Sequence, residues 1–207
     1  MIKTIVFDFD GTIADTINEI LNIFNETSFK FGFGKIDKSH ITLLRNKGAA
    51  WILSNLKIPS YQVPIILNDI KKGLSKNIPD SKPVTGMPKT ILALKSKGIR
   101  LGILTTNSEN NVKKFLKLNH IDEFDFIYHG SSLFGKDYLL KKMLREQKLN
   151  INTTFYVGDE DRDIVAAHKV GIKIIAVTWG LNTKKLIAKN KPDHIASKPV
   201  DILKFIN

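Results

Sequence analysis

The 207-residue sequence contains no cysteine. The chain can therefore form neither disulfide bonds nor thiolate metal sites, as is typical of proteins in the reducing cytoplasm. It also has no run of about eighteen apolar residues, the least that a membrane helix needs. Asp8 and Asp10 interrupt the apolar stretch near the amino terminus, where a signal peptide would be uncharged. From these absences we expect a cytoplasmic protein without a membrane partner.

Arginine is scarce, although the chain is strongly basic. The net charge is +12, yet only four of the 32 basic residues are arginine. Proteins that bind nucleic-acid phosphates often use the two-pronged arginine side chain, and the lysines here are spread along the chain. We therefore expect no nucleic-acid partner. A positive field of this kind would instead attract a small anionic substrate.

From Pro88 onward, helical and strand patterns alternate along the chain. Such alternation indicates a parallel α/β sheet, which the apolar strand before Asp8 is expected to join. The predicted strands are Ile5–Phe7, Arg100–Thr105, Phe126–His129, Thr154–Val157 and Lys173–Val177. The helices between them are predicted over Lys89–Lys97, Glu109–Lys117, Tyr138–Glu146 and Arg162–Val170.

Residues 16–82 have a different pattern, with helical periodicity and no clear strand. Short helices are predicted there over Ile41–Arg45, Ala49–Leu56 and Val63–Leu74, after a first helix that is capped by Asp15 or Thr16. We therefore predict an α/β fold in two parts. Residues 1–15 and 83–207 would form a Rossmann-like parallel sheet core, and residues 16–82 a small all-helical cap inserted after the first strand.

Chemically active side chains follow four of the predicted strands. Ligands of open parallel sheets bind beyond the carboxyl ends of the strands, so we expect these side chains to meet at one site. They are Asp8 and Asp10 before Gly11, then Thr106 and Asn107, then Lys136 in the connection after the third strand, and finally Asp159 to Asp163. Two carboxylates beside a glycine turn suit nucleophilic attack on phosphorus next to a metal ion.

With these segments the chain resembles the haloacid dehalogenase superfamily, in its branch of phosphoglycolate-phosphatase-like hydrolases. The resemblance covers nearly the whole chain, including a helical region similar to the first type of cap in that family. The segments that carry it are Asp8-Phe9-Asp10-Gly11-Thr12, Leu104-Thr105-Thr106-Asn107, Lys136, Gly158-Asp159-Glu160-Asp161-Arg162-Asp163, and Val177-Thr178-Trp179-Gly180. The resemblance implies a phosphatase that forms an aspartyl-phosphate.

The resemblance also implies a role for each residue of the site. Asp8 would be the nucleophile, and Asp10 would protonate the leaving group and then activate water. Thr106 and Lys136 would hold phosphoryl oxygens, with Lys136 neutralising the charge that builds up during transfer. Gly11 would turn the backbone so that N–H groups face the phosphate, and Asn107 is expected beside it.

A cation is needed to balance the acidic residues of this site. Ionised Asp8, Asp159 and Asp163 near a phosphate would repel one another by about 3–4 kcal/mol per pair at 4–5 Å, which one lysine cannot offset. Hard oxygen ligands and a phosphate suit Mg²⁺. By the resemblance, Asp8, the backbone carbonyl of Asp10 and Asp159 would bind the ion directly. Asp163 would lie in its outer shell or orient Lys136.

The substrate is a small phosphorylated metabolite whose identity the sequence leaves open. Phosphoglycolate, a sugar phosphate, a nucleotide and pyrophosphate all remain possible, because the deciding side chains lie in the cap. Arg45 follows two apolar residues and precedes a short loop. We expect it to reach the part of the substrate away from the phosphate. The oligomeric state is also left open.

Three other functions remain as alternatives. A phosphomutase of the same superfamily would return the phosphoryl group to substrate instead of to water. A non-catalytic phosphate-metabolite binding module would be expected to lack one of the key side chains, and none is missing. A nucleic-acid binder would bind unrelated duplexes tightly and in a salt-sensitive manner. Dehalogenases and phosphonatases of the superfamily lack an aspartate at the position of Asp10, which counts against those reactions.

Overall fold

The computed structural model describes residues 1–48, 51, 54–130 and 135–206. Its centre is a six-stranded, fully parallel sheet in the order β3-β2-β1-β4-β5-β6. The strands are β1 (Thr4–Phe7), β2 (Arg100–Thr105), β3 (Phe126–His129), β4 (Thr154–Gly158), β5 (Lys173–Val177) and β6 (His194–Ala196). The Rossmann-like parallel sheet that the sequence predicts is therefore confirmed.

The described helices include eight α-helices. They are α1 (Ile17–Phe31), α2 (Lys38–Lys47), α3 (Val63–Asn77), α4 (Met87–Ser96), α5 (Glu109–Leu118), α6 (Lys136–Glu146), α7 (Asp161–Val170) and α8 (Lys184–Lys189). The described residues also include two 3₁₀ segments, Ile151–Thr153 and Pro199–Phe205. No helix of the described residues is long and apolar enough to cross a membrane.

The central strand β1 is buried on both of its faces, as an apolar strand inside a parallel sheet requires. Alternate residues of a strand point to opposite faces, so β1 contributes to two hydrophobic clusters. Ile5 and Phe7 belong to one cluster, with helices α4 and α5, whereas Val6 belongs to the other, with α6 and α7. This central position fixes the residue after β1 at the middle of the sheet edge.

Helices α1–α3 have a third hydrophobic cluster of their own. Its buried members are Leu21, Phe24, Ile36, Leu44, Ile58 and Ile66. The two chain segments that connect these helices to the sheet lie side by side. The Asp15 N–H donates to the Lys82 carbonyl at 2.9 Å, and the Val84 N–H donates to the Ile13 carbonyl at 2.8 Å.

Several predicted boundaries need correction. The helix predicted from Ile41 begins at Lys38, because the Asp37 side chain accepts a hydrogen bond from the His40 N–H and caps it. Lys136 is the first residue of α6 and not part of a loop. β6 and α8 were not predicted, since three and six residues are too short to show a clear period. The helix predicted over Ala49–Leu56 falls partly outside the described residues.

Candidate active site

The site is built at the carboxyl edge of the sheet, around its central strand. Asp8 directly follows β1, and Asp159 directly follows the adjacent strand β4. On the other side of β1, Thr106 follows β2. Lys136 reaches the same edge from the start of α6. The parallel topology therefore brings together residues that are up to about 150 positions apart in the chain.

Asp8 is buried, and both of its carboxylate oxygens are hydrogen-bonded. The Phe9 N–H donates to Oδ1 at 2.9 Å, and the Lys136 ammonium donates to Oδ2 at 2.6 Å. Lys136 also forms an ion pair with Asp163, whose side chain is fully buried. One buried ammonium group thus bridges two buried carboxylates that belong to different elements of the fold.

Asp8, Asp159 and Asp163 form a cluster that can hold a metal ion. Each offers one carboxylate oxygen, and these oxygens lie within 4.8 Å of one another. The Asp159 oxygens are fixed by two donors, the Thr12 hydroxyl at 2.8 Å and the Leu181 N–H at 2.7 Å. Among the described residues, three buried carboxylates face one buried lysine, so the cluster keeps an excess of negative charge. Such an oxygen donor set fits a hard divalent cation.

The pKa values of these groups are set first by burial and then by the neighbouring charges. Burial raises the pKa of Asp8 to about 7, although Lys136 opposes the shift. Burial, and next the neighbouring carboxylates of Glu160 and Asp163, raise the pKa of Asp159 well above its ordinary value. Burial lowers the pKa of Lys136, but Asp163 and Asp8 outweigh it and the net pKa is well above the ordinary value. A further cation would favour the ionised carboxylates.

The side chain of Asp10 lies apart from this cluster and has two donors of its own. The Thr16 hydroxyl donates to Oδ1 at 2.9 Å, and the Asn107 amide donates to Oδ2 at 3.2 Å. Burial raises the pKa of Asp10, and these two hydrogen bonds oppose the shift. Asp10 is therefore a partly buried carboxyl with a raised pKa, as a proton donor requires.

Asn107 contacts Asp10 and other protein groups, and its expected place beside the phosphate stays a prediction. Its amide nitrogen donates to Asp10, and its oxygen accepts from the Asn111 side chain at 2.9 Å and from the Ser108 N–H at 2.8 Å. Since both ends of the buried amide are engaged, Asn107 holds the Asp10 carboxyl in place.

Gly11 makes the sharp turn that is expected of it, and that N–H groups of this turn face a phosphate stays a prediction. The Gly11 N–H itself donates to the Ala14 carbonyl at 2.8 Å and closes the turn. Its φ of +77° is in the left-handed region, and an added Cβ would lie 2.5 Å from the Asp159 carboxylate. Glycine is required here because the turn packs directly on Asp159. By contrast, the half-buried Thr106 hydroxyl has no hydrogen-bond partner among the described residues.

The Arg45 side chain contacts the loop after β5, and its expected approach to the substrate stays a prediction. Its Nε donates to the Leu181 carbonyl at 3.1 Å, and its Nη2 donates to the Gly180 carbonyl at 3.3 Å. Its own carbonyl accepts from the Thr183 N–H at 2.8 Å. The end of α2 is therefore hydrogen-bonded to a loop that also contacts Asp159.

Comparison with known protein families identifies the chain. The family model described as "Haloacid dehalogenase-like hydrolase" matches residues 5–177. The chain belongs to this family. The match includes β1 to β5 together with Asp8, Lys136 and the Asp159–Asp163 segment.

Two curated relatives and one solved structure cover almost the whole length of this hydrolase. It is 29% identical to a phosphoglycolate phosphatase of Synechococcus elongatus, over 99% of the chain and 97% of the relative. It is 25% identical to the pyrophosphatase PpaX of Bacillus mycoides, over 100% and 97%. A predicted phosphatase from Clostridium acetobutylicum has the same fold, with a TM-score of 0.83 at 19% identity, over 100% of the chain and 98% of that structure. The hydrolase is a phosphatase of the phosphoric monoester type.

Several donors to the acidic groups of this hydrolase were not predicted from the sequence, among them Thr12, Thr16 and Leu181. Thr12 and Thr16 donate their hydroxyls to Asp159 and Asp10. Both threonines come shortly after Asp8 and Asp10 in the sequence. A hydroxyl so close to a pair of carboxylates is a sequence signal from which such a hydrogen bond could have been predicted. The third of these donors is the backbone N–H of Leu181, and any residue type would supply it. No sequence signal marks such a donor.

Proposed function

We propose that the chain is a Mg²⁺-dependent phosphatase that hydrolyses a small phosphomonoester through an aspartyl-phosphate on Asp8. The observation that carries this proposal is the ion pair between Asp8 and Lys136 beside the Asp159 carboxylate. A nucleophile, an ammonium group and a cation-binding cluster are then available at one edge of the sheet. These are the groups that phosphoryl transfer uses for attack and for charge neutralisation.

In the first step, an Asp8 oxygen attacks phosphorus and the bond from phosphorus to the leaving oxygen breaks. Asp10, with its raised pKa, gives a proton to that oxygen. The Lys136 ammonium and the free Thr106 hydroxyl would hold the phosphoryl oxygens as charge accumulates on them. Asp163 forms a second ion pair with Lys136 and so keeps the ammonium group directed towards Asp8.

In the second step, Asp10 takes a proton from a water molecule, which attacks phosphorus and releases phosphate from Asp8. The same carboxyl thus acts as acid and then as base. Thr16 and Asn107 hold it in one position for both steps. Mg²⁺, held by Asp8, Asp159 and the backbone carbonyl of Asp10, would neutralise the charge shared by phosphate and carboxylates.

The proposed substrate class rests on the relatives. A relative named phosphoglycolate phosphatase supports a small phosphorylated acid, and one named pyrophosphatase makes inorganic pyrophosphate the second compound to test. We propose that residues 16–82 act as a cap over the site and select the substrate. Their separate hydrophobic cluster and paired connections to the sheet support this division. The cytoplasmic location stays a prediction.

The test is a phosphatase screen with Mg²⁺ on phosphoglycolate, sugar phosphates, nucleotides and pyrophosphate. Asp8→Asn keeps the shape of the side chain but removes the nucleophile, so we expect turnover to disappear. Asp122→Asn, at an exposed residue beyond α5, is the matched control and should retain full activity. We expect a chelator to abolish turnover and added Mg²⁺ to restore it. Activity that survives Asp8→Asn would refute the proposed nucleophile.

A further inference from the structure

The loop after β5, residues 179–183, lies between the acidic cluster and the end of α2. A single peptide group, the one between Gly180 and Leu181, contacts both sides. Its carbonyl accepts a hydrogen bond from Arg45 Nη2 at 3.3 Å, and its N–H donates to Asp159 Oδ2 at 2.7 Å. The next carbonyl, that of Leu181, accepts from Arg45 Nε at 3.1 Å. We name residues 179–183 the clasp loop.

Further contacts fasten the clasp loop to both partners. Towards α2, the Thr183 hydroxyl donates to the Asn46 side chain at 2.9 Å. Towards the acidic segment, the Asp161 N–H donates to the Asn182 side chain at 2.7 Å, and the fully buried Asn182 gives its own N–H to the Asp159 carbonyl at 3.3 Å. The Leu181 side chain packs against the hydrophobic cluster of α1–α3.

Two glycines make this close approach possible. An added Cβ at Gly180 would lie 2.3 Å from the Asp159 carboxylate, and one at Gly48, just after α2, would lie 2.9 Å from the Asp161 carboxylate. The backbone at Gly180 and the backbone at Gly48 therefore lie directly against the acidic segment, residues 159–163. Any change in the position of α2 has to displace the clasp loop or break its hydrogen bonds.

We propose that Arg45 is a positioning residue that couples metal binding at Asp159 to the docking of helices α1–α3 on the sheet. A peptide group is planar and rigid, so the orientation of the Gly180 carbonyl fixes that of the Leu181 N–H. A donor on the carbonyl also polarises the group and strengthens its N–H as a donor to Asp159. The inference rests on the cation site of the proposed function and adds a link from that site to the helices.

The coupling has to act in both directions. If docking of α1–α3 through Arg45 favours the binding orientation of Asp159, then a bound cation favours docking by the same factor. Arginine suits this task because its fork presents two donors to two neighbouring carbonyls, whereas a lysine would present one ammonium to the pair. The proposal therefore predicts an order of effects among Arg45 variants.

The experiment compares Arg45→Met, Arg45→Lys and Lys47→Met with the wild type. Lys47 is an exposed residue in the same last turn of α2, so Lys47→Met removes the same charge without a contact to the clasp loop. Affinity for Mn²⁺ is measured by electron paramagnetic resonance, and affinity for Mg²⁺ by competition. Amide hydrogen exchange of α1–α3 is followed with and without Mg²⁺.

We expect Arg45→Met to weaken Mg²⁺ binding about tenfold, Arg45→Lys to weaken it less, and Lys47→Met to leave it unchanged. In the wild type, Mg²⁺ should slow exchange in α1–α3 about tenfold, and Arg45→Met should remove that protection. Saturating Mg²⁺ should restore the turnover number of Arg45→Met. Thr183→Val leaves Arg45 in place but removes the hydroxyl that contacts Asn46 and caps α8, and it should also weaken Mg²⁺ binding.

Wild-type Mg²⁺ affinity in Arg45→Met, or equal Mg²⁺ protection in both proteins, would overturn the inference. A lower melting temperature of Arg45→Met without metal, together with unchanged cation affinity, would also overturn it, because Arg45 would then serve folding alone. These readouts do not need turnover. If the wild type hydrolyses no phosphomonoester but Arg45→Met still weakens cation binding, the proposed function fails and the coupling stands. If the wild type hydrolyses a phosphomonoester but Arg45→Met binds Mg²⁺ with the wild-type affinity, the coupling fails and the proposed function stands.

Discussion

The ammonium of Lys136 lies 2.6 Å from the Oδ2 atom of Asp8, and both side chains are buried. The two residues come from different elements, the start of α6 and the end of β1, and Asp163 completes the arrangement from α7. Lys136 thus neutralises two buried carboxylates, and in the proposed function it would also hold the phosphoryl group. The following predictions begin from this pair.

Lys136→Met should reduce both activity and stability. Losing the ammonium that faces the phosphoryl oxygens should lower the turnover number about 10²–10³-fold. Leaving Asp8 and Asp163 without a buried cation should cost about 3–5 kcal/mol of unfolding free energy in metal-free protein at pH 8. Steady-state kinetics and urea unfolding measure the two effects. Lys114→Met, at an exposed lysine of α5, should change neither, and an unaltered turnover number in Lys136→Met would exclude its role.

The stability of the metal-free protein should depend on the titration of Asp8. Its pKa is about 7 in the fold, against an ordinary value of 3.8, so the folded protein holds a proton that the unfolded chain releases. This contribution to stability is fully present below about pH 4 and is lost as the pH rises through 7. The asparagine of Asp8→Asn cannot titrate, so this variant does not lose the contribution. The melting temperature of Asp8→Asn minus that of the wild type should therefore increase from pH 4 to pH 8. A constant difference across this range would contradict the raised pKa.

Asp10→Asn should separate the proton-donor role from nucleophilic attack. We expect phospho-enzyme formation from an alkyl phosphate to fall by about 10²–10⁴-fold, because its poor leaving group needs a proton. An activated aryl phosphate, whose leaving group departs as a stable anion, should lose much less. Rapid-quench measurement of the phospho-enzyme compares the two substrates. Equal losses on both would argue against Asp10 as the acid.

Gly180→Ala should weaken the cation site without a change of charge. The added methyl group would lie 2.3 Å from the Asp159 carboxylate, so Asp159 or the clasp loop has to move. We expect weaker Mg²⁺ binding and an overpacking cost of about 1–3 kcal/mol in unfolding free energy. Gly34→Ala is the matched control, because its methyl group would meet only Leu56 at an ordinary 3.4 Å. Isothermal titration calorimetry should show that Gly34→Ala binds Mg²⁺ with the wild-type affinity.

Strand patterns were the most predictable part of the fold. β2, β3 and β5 have the predicted boundaries, since continuous apolar runs between turn residues are typical of buried parallel strands. The meeting of Asp8 with Asp159 was predictable for the same reason, because adjacent parallel strands end at the same edge. β6 has only three residues and is recognised by its pairing with β5.

The partners of individual polar side chains were less predictable. Nothing in the sequence indicates that Arg45 contacts the carbonyl of Leu181, which is 136 positions away. Nor does the sequence indicate that Asn107 donates to Asp10, which is 97 positions away. Gly11 has the sharp turn that its type predicts, but the turn packs on Asp159 and its N–H is used within the turn. In each case the residue type indicates what kind of contact the residue can make, but the sequence does not indicate which group it contacts.

The sequence alone determined the parallel sheet, the order of its main elements and the set of acidic, basic and hydroxyl side chains at its edge. These follow from local periodicity and from the rule that parallel strands end together, both of which can be read along the chain. Only the tertiary structure decided that one peptide group joins Arg45 to Asp159 and that Lys136 bridges Asp8 and Asp163. Such contacts depend on distances of a few ångströms between segments far apart in sequence, and backbone donors leave no mark on residue type.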